Sequence, residues 1–267
     1  TWNQYAKRAV DSVLQHWPTG TDIVVYHESQ TQDIFQHPRV QWVDAHEAQP
    51  KLLDFKNKYK DDPVANGEVQ LKPNGVRRPG PMPSKGSFQW NAVRFANKVF
   101  CVVNAVRNSK DYDYVVWLDA DTFTFRTVPI DFLTNILPTD TMLTYLGRET
   151  VYPECGFVGY NLKHEYTLDF VNEWEQLYIS GDVFKLLEWH DSAVFWELSK
   201  KFIQEKNIKV NDIGYRQGVT GHHVFVNSVL GLYMDHFKGS RKTKMTSTRK
   251  DLRQDMDIDY WKKVPPS

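Results

Sequence analysis

Two aspartates one residue apart follow an apolar segment in the middle of the chain. The segment Tyr114–Leu118 has the composition of a buried strand, and Asp119 and Asp121 come directly after it. In an extended chain, residues i and i+2 point to the same side of the backbone. Both carboxylates can therefore converge on one hard cation, with Mn²⁺ or Mg²⁺ as the candidates. Such a cation would hold a diphosphate and neutralise the charge that develops on it as a leaving group.

An isolated pair of this kind is better explained as a solvated strand end or a helix N-cap. Beside a core strand, however, two aspartates repel each other unless a cation lies between them, which favours the metal interpretation. Phosphatases of the haloacid dehalogenase type also place Asp-x-Asp after an apolar strand, with a threonine two residues beyond the second aspartate. Here that position is Phe123 and the threonine is Thr122, so a phosphatase is a minor alternative.

A second polar segment, Asp235–Lys242, follows an apolar stretch at 223–234 that predicts a strand. His236 could supply a third metal ligand through an imidazole nitrogen. Gly239 would let the backbone approach a ligand closely, and Lys242 could contact diphosphate oxygens. Alone, the segment is typical of a basic surface tail. Together with the aspartates, it predicts the second half of a metal–diphosphate clamp.

The elements that must position these residues follow from apolar periodicity. It predicts helices over 2–17, 88–107, 165–178 and 191–206, and strands over 22–26, 40–43, 114–118, 141–146 and 156–160. Helices alternating with apolar strands indicate an α/β fold whose strand ends face a ligand. Residues 60–87 are rich in Pro, Gly and charge, which is typical of a functional or a disordered loop. Residues 243–267 form a basic C-terminal tail.

The length and composition narrow the function classes. A chain of 267 residues is expected to form one α/β domain over 1–267. Equal counts of basic and acidic residues, 33 each, argue against nucleic acid as the partner, without excluding it as an acceptor. No apolar run approaches the roughly 20 residues of a membrane span. Two cysteines and no Asn-x-Ser/Thr site favour a cytoplasmic protein.

Five landmarks recur in the order of a known family. They are Arg94-Phe95, Leu118–Asp121, Glu154–Lys163, Asp191 and His236-x-x-Gly239-x-x-Lys242. In these the chain resembles glycosyltransferase family 8 of the GT-A fold, the family of glycogenin and bacterial lipopolysaccharide galactosyltransferases. The chain departs from the family pattern at Glu154, where an asparagine is expected.

The resemblance implies a GT-A (Rossmann-like) domain, with a mixed central sheet flanked by helices. It also implies transfer of a sugar from a nucleotide diphosphate sugar, a UDP-sugar being favoured, to a hydroxyl acceptor such as a glycan, with retention. Mn²⁺, or Mg²⁺, would be held by Asp119, Asp121 and His236. Asp191 is the first candidate for the catalytic carboxylate at the sugar and Glu154 is the second.

Further donor and acceptor residues are expected on the same basis. The resemblance implies donor contacts by Arg94, Lys98 and Ala120. Tyr26 and His27, at the end of the first strand, are expected to contact the nucleobase. An ordinary strand end without a binding role explains these residues equally well. The acceptor side is expected at Trp189 and His190, because aromatic faces suit sugar rings. From the residues alone, Asp191 could instead be an ordinary helix N-cap.

Two other functions stay open. A sugar nucleotidyltransferase also combines an α/β sheet with metal-binding carboxylates, but it usually carries a Gly-rich basic signature after the first strand. Here that position is His27–Gln30, which argues against it. A carbohydrate-binding, transferase-like protein without activity is the non-enzymatic alternative. The intact Asp119, Asp121 and His236 argue against a degenerate site.

Overall fold

The computed structural model describes residues 5–28, 35–68, 87–215, 223–248 and 250–252. Its contacts divide the chain into two compact units, and each unit is assembled from separated segments. The first unit comprises Thr1–Ile23, Tyr114–His164 and Lys209–Ser267, and the second comprises Val24–Asp113 and Glu165–Ile208. That the whole chain forms one domain stays a prediction.

The helices and strands alternate along the chain. The helices are α1 (Lys7–His16), α2 (Ala45–Ala48), α3 (Pro50–Tyr59), α4 (Ala92–Asn108), α5 (Ile130–Ile136), α6 (Thr167–Ser180), α7 (Asp191–Lys206), α8 (Val224–Asn227) and α9 (Arg241–Lys244). The strands are β1 (Ile23–His27), β2 (Val40–Asp44), β3 (Tyr114–Leu118), β4 (Thr122–Thr124), β5 (Leu143–Leu146), β6 (Glu154–Asn161), β7 (Val210–Asp212) and β8 (Met234–His236). Short 3₁₀ helices cover Ser87–Trp90, Asp182–Lys185 and Val229–Leu232.

The first unit contains a mixed sheet of four strands in the order β3-β6-β5-β7. Strand β6 pairs antiparallel with both β3 and β5, whereas β7 pairs parallel with β5. All eight residues of β6 are buried, as expected for the strand at the middle of a covered sheet. The register places Leu118, the last residue of β3, opposite Phe157.

Helices cover this sheet and build its core. Val13 of α1, Ile136 of α5, Phe157 of β6 and Phe225 of α8 belong to one buried apolar cluster. Helix α5 lies close to β6 because Gly159 leaves room for Leu137: a Cβ at Gly159 would be 2.4 Å from Leu137 Cδ2. The prediction of an α/β fold with a mixed sheet flanked by helices is therefore confirmed.

A second pairing in the first unit brings distant segments together. Strand β4 pairs antiparallel with β8, with Thr122 opposite His236.

The predicted strand over 223–234 is wrong, because most of this stretch forms α8 and the 3₁₀ helix Val229–Leu232. A continuous apolar run does not distinguish a buried strand from a buried helix. Ser228 caps the 3₁₀ helix, since its side chain accepts a hydrogen bond from the amide of Leu230 at 3.2 Å.

In its described residues, the second unit contains the two-stranded sheet of β1 and β2 and five α-helices. Helix α4 packs against α3, α6 and α7, and its buried residues include Val99, Phe100 and Val103. Across α3 and α6, the rings of Phe55 and Tyr178 meet edge to face, with centroids 5.3 Å apart. The predicted helix over 191–206 is confirmed at both ends, as α7.

The two predicted loop regions are described in part. Residues 69–86, 249 and 253–267 lie outside the described residues. The described beginning of the basic tail is packed rather than free, because Ser247 is fully buried against Asp235 and Arg241. Within the described ranges, no helix has both the length and the apolar character needed to cross a membrane.

We predict that the buried contact between Asp235 and Arg241 holds β8 in place. Asp235→Asn should lower the free energy of unfolding by about 3 kcal/mol, because it removes the carboxylate charge that contacts the buried Arg241 guanidinium. The control is Asp140→Asn, whose partner Lys209 lies 3.3 Å away in an exposed pair, and it should cost less than about 1 kcal/mol. Urea unfolding of both variants measures the difference. Equal losses below about 1 kcal/mol would contradict the assignment.

Candidate functional site

A tight turn after β3 presents the two aspartates of the first unit. The Asp119 amide donates to the carbonyl of Gly156 at 3.0 Å, which extends the pairing of β3 with β6 by one residue. The amide and hydroxyl of Thr122 both donate to the Asp119 carbonyl, at 2.9 and 2.8 Å. These bonds close a turn between β3 and β4, in which Asp119 and Asp121 flank Ala120.

His236 reaches the same point from β8. Its Nε2 lies 2.8 Å from Asp121 Oδ1 and 3.7 Å from Asp119 Oδ2. One ligand atom from each of the three side chains can be chosen so that all lie within 4.8 Å of one another. The structure thus brings together the three residues that the sequence assigned to the metal.

Each aspartate has further partners in the first unit. The Trp117 indole N–H donates to Asp119 Oδ1 at 2.7 Å, and the Lys242 ammonium lies 2.6 Å from Asp121 Oδ2. Burial alone would raise the pKa of Asp121, but hydrogen bonding and charge from His236, and then from Lys242, lower the pKa far below its usual range. Asp121 is therefore an anion at neutral pH. Trp117 was not among the residues predicted for the site, although its position two residues before Asp119, at the end of a strand, places both side chains on the same side.

Glu154 lies on the other side of the His236 ring. Its Oε1 is 3.1 Å from His236 Nδ1, and its Oε2 contacts the Lys238 ammonium. Burial would raise the pKa of Glu154, yet the charges of Lys238 and His236 hold it well below the usual range. Burial would lower the pKa of His236, but the charge of Glu154 and the hydrogen bond to Asp121 raise it to about 9.

The donor set fits the predicted cation. Carboxylate oxygens suit Mn²⁺ and Mg²⁺, and an imidazole nitrogen in the same set favours Mn²⁺ of the two. Metal-bound histidines usually donate their other ring N–H to a carboxylate or carbonyl, and Glu154 provides such an acceptor at His236. Asp119, Asp121 and His236 could therefore hold a divalent cation, with Glu154 behind the imidazole.

A small depression next to Asp121 is lined by cationic and aromatic side chains. Its lining includes Tyr5, Arg8, Phe237 and Lys242. The Lys242 ammonium lies 5.3 Å from the centre of the Tyr5 ring. Gly239, between β8 and α9, is exposed and has φ of 57°, a conformation that glycine adopts without strain. Ala120 is exposed at the turn between the aspartates.

The second unit contains the predicted carboxylate Asp191, at the first position of α7. The Lys98 ammonium lies 2.7 Å from Asp191 Oδ2, and both side chains are largely buried. Burial alone would raise the pKa of Asp191, but the charge of Lys98 and the hydrogen bond from His190 lower the pKa below its usual range. The N-cap of α7 is His190, so Asp191 is not the helix N-cap.

The two predicted acceptor residues differ in their surroundings. Trp189 is 1% exposed, and its indole N–H donates to the carbonyl of Leu186 at 3.0 Å. A buried ring offers no face to a sugar, so this burial weighs against an acceptor role for Trp189. His190 Nε2 lies 3.0 Å from Glu188 Oε2, and the ring centroid is 5.5 Å from that of Phe88, which is 47% exposed.

The predicted donor residues of the second unit lie on β1 and α4. The Tyr26 hydroxyl donates to Asn104 Oδ1 at 2.8 Å, and burial raises its pKa above the usual range. His27 Nδ1 lies 4.0 Å from Asp44 Oδ2. Arg94 is exposed on α4 and its guanidinium lies 5.8 Å from the ring centre of Phe95. The donor roles of these residues stay predictions.

Comparison with known proteins gives a distant likeness among solved structures. No protein-family model matches the chain, and no curated protein matches it. Among solved structures, it is similar to the apo crystal structure of mouse xyloside xylosyltransferase 1, with 13% identity, a TM-score of 0.43 and 78% of each chain covered. A likeness this distant does not assign a fold or an activity to the chain.

The raised pKa of His236 predicts how stability depends on pH without metal. The pKa of His236 in the folded state, about 9, lies above the ordinary 6.5, so protonated His236 stabilises the folded state. This stabilisation is complete below about pH 6.5 and is lost as the pH rises to about 9. The expected loss is on the order of 3 kcal/mol. Urea unfolding in chelator at several pH values measures it. In His236→Gln, the free energy of unfolding should not fall over this pH range. If it falls as in the wild type, other groups cause the pH dependence.

Proposed function

We propose that this chain is a metal-dependent glycosyltransferase of the GT-A type. In this proposal it moves a sugar from a nucleotide diphosphate sugar, a UDP-sugar being favoured, to a hydroxyl acceptor such as a glycan. One observation carries the proposal: ligand atoms of Asp119, Asp121 and His236, from two strand ends far apart in sequence, lie within 4.8 Å of one another. Donor sets of this kind bind the cations that hold diphosphates.

The residues beside the acidic pair suit the diphosphate. When bound, Mn²⁺ or Mg²⁺ would stabilise the charge that develops on the departing diphosphate. Arg8 and Lys242 line the depression next to Asp121, so an anion there would meet two cationic side chains. Lys242 is partly exposed, and its flexible side chain can turn from Asp121 to a phosphate oxygen. These side chains act where negative charge appears in the transition state.

The transferred sugar would carry positive charge in the transition state and needs an anion near it. We assign this role first to Asp191, with Glu154 as the second candidate, and we propose retention of the anomeric configuration. Lys98 supports the assignment of Asp191, because the ion pair keeps this buried carboxylate ionised at neutral pH. A permanently charged carboxylate can stabilise an oxocarbenium-like sugar, whereas a neutral acid cannot.

A donor-hydrolysis screen tests the proposal without knowledge of the acceptor. The purified chain is incubated with Mn²⁺ and a panel of UDP-, GDP- and CMP-sugars, and nucleotide release is measured. We expect slow release of UDP from at least one UDP-sugar, and its loss with chelator. If calorimetry shows that UDP, GDP and CMP all fail to bind in the presence of Mn²⁺, the proposal is wrong. Release of pyrophosphate from UTP and a sugar 1-phosphate, with no release of UDP from any UDP-sugar, would instead identify a sugar nucleotidyltransferase.

Asp121→Asn should abolish metal-dependent donor cleavage. The variant loses one anionic cation ligand, and we expect cleavage to fall at least about 100-fold, the effect of removing roughly 3 kcal/mol of transition-state stabilisation. Asp140→Asn, an exposed site in the same unit, should cleave like the wild type. Circular dichroism verifies that both variants fold. Wild-type turnover by Asp121→Asn would show that Asp121 is not a ligand of a catalytic cation.

Asp191→Asn should slow transfer far more than it weakens donor binding. A charge that acts only in the transition state affects kcat, whereas one that holds the ground state affects KM. The control is Asp169→Asn, because Asp169 is an exposed carboxylate in the first turn of α6 and reports the loss of a helix-end charge alone. Steady-state kinetics of both variants make the comparison. Equal loss of kcat and donor affinity in Asp191→Asn would mark it as a binding residue.

A further inference from the structure

We propose that Glu154 is a positioning residue that fixes the His236 imidazole for metal binding. This inference rests on the proposed function, since it concerns the same cation site. It assigns to Glu154 a role different from the second-candidate role at the transferred sugar.

Both carboxylate oxygens of Glu154 already have partners inside the first unit. Oε1 lies 3.1 Å from His236 Nδ1 and accepts the Gly156 amide at 3.0 Å. Oε2 accepts from the Lys238 ammonium. Glu154 is 3% exposed, so its carboxylate is enclosed by these donors. A group that stabilises or attacks a sugar must present an oxygen to it, and here both oxygens point to protein donors.

The contact with Glu154 decides which ring nitrogen of His236 faces the acidic pair. An ionised carboxylate accepts hydrogen bonds and cannot donate them, so Nδ1 carries a proton toward Glu154, and the proton that a cation would replace is the one on Nε2. The other nitrogen, Nε2, lies 2.8 Å from Asp121 Oδ1 and 3.7 Å from Asp119 Oδ2. With the ring held in this orientation, Nε2 is the nitrogen that can bind a cation between the aspartates.

Strand β6 also provides the space that the ring occupies. A Cβ at Gly156 would lie 2.3 Å from His236 Nδ1 and 2.7 Å from Cε1, so any larger residue would push the ring away. The ring of Phe225 contacts the imidazole edge to face, with centroids 5.6 Å apart. His236 is 2% exposed and lies in a slot formed by Glu154, Gly156 and Phe225. The ring orientation is thus set by packing as well as by the hydrogen bond.

Two changes disturb the positioning in different ways. Glu154→Leu removes the acceptor at Nδ1, whereas Gly156→Ala keeps the carboxylate but places a Cβ 2.3 Å from His236 Nδ1 and 3.0 Å from Glu154 Oε1, so mainly the ring must move. Glu154→Gln keeps a hydrogen-bond acceptor, because the amide oxygen can accept a hydrogen bond from Nδ1–H. The matched control is Glu149→Gln, which removes one exposed carboxylate from the same unit.

The experiment measures Mn²⁺ binding rather than activity. Electron paramagnetic resonance gives the Mn²⁺ affinity of each variant, and pulsed measurements detect the ¹⁴N coupling that reports imidazole ligation. We expect Glu154→Leu and Gly156→Ala to weaken Mn²⁺ binding by at least about 10-fold and to lose the ¹⁴N coupling. Glu154→Gln should retain the coupling and bind Mn²⁺ more tightly than Glu154→Leu. Glu149→Gln should match the wild type.

The outcomes separate this inference from the proposed function. If Glu154→Leu binds Mn²⁺ with wild-type affinity and ¹⁴N coupling but loses donor cleavage, Glu154 is a reacting group and the inference is wrong. If the wild type itself binds no Mn²⁺, the proposed function fails with it. Should Glu154→Leu not fold, Glu154→Ala takes its place: wild-type Mn²⁺ affinity and ¹⁴N coupling in that variant overturn the inference, and loss of both supports it.

Discussion

Three carboxylates surround one buried imidazole, and the candidate site depends on how their repulsion is balanced. Asp119 and Asp121 lie at Nε2 of His236, and Glu154 lies at Nδ1. Like charges this close destabilise one another unless cations lie among them. Lys242 and Lys238 supply part of the balance, each beside one carboxylate. A divalent cation between Asp119 and Asp121 would supply more positive charge at the point where two of the carboxylates meet.

The fold brings these groups together through backbone pairing between segments that are distant in sequence. Strand β6 pairs with β3 and carries Glu154, while β8 pairs with β4 and carries His236. Behind β8, Asp235 accepts hydrogen bonds from Arg241, Ser247 and the His236 amide, so the strand is anchored on the side away from the metal ligands. Positions within the site are therefore set by rigid strands, which is what a preorganised electrostatic site requires.

Helices and strands with a clear local pattern were predicted correctly from the sequence. The strand 114–118 and the helix 191–206 have the predicted bounds, because apolar periodicity and flanking polar residues mark them. The prediction failed at 223–234, where a continuous apolar run has no period, and it missed the three-residue strands β4 and β7. The metal triad was predictable from residue types and spacing. The partners of Glu154 were not, because its contacts with His236 and Lys238 join residues more than 80 positions apart.

A crystal structure of the chain with Mn²⁺ and UDP tests the central claim most directly. The account predicts one anomalous manganese peak at about 2.0–2.3 Å from carboxylate oxygens of Asp119 and Asp121 and from His236 Nε2, with the diphosphate on its open side. Lys242 should then contact a phosphate oxygen. A manganese peak elsewhere, or a His236 ring turned away from a nucleotide that is bound, would contradict the account.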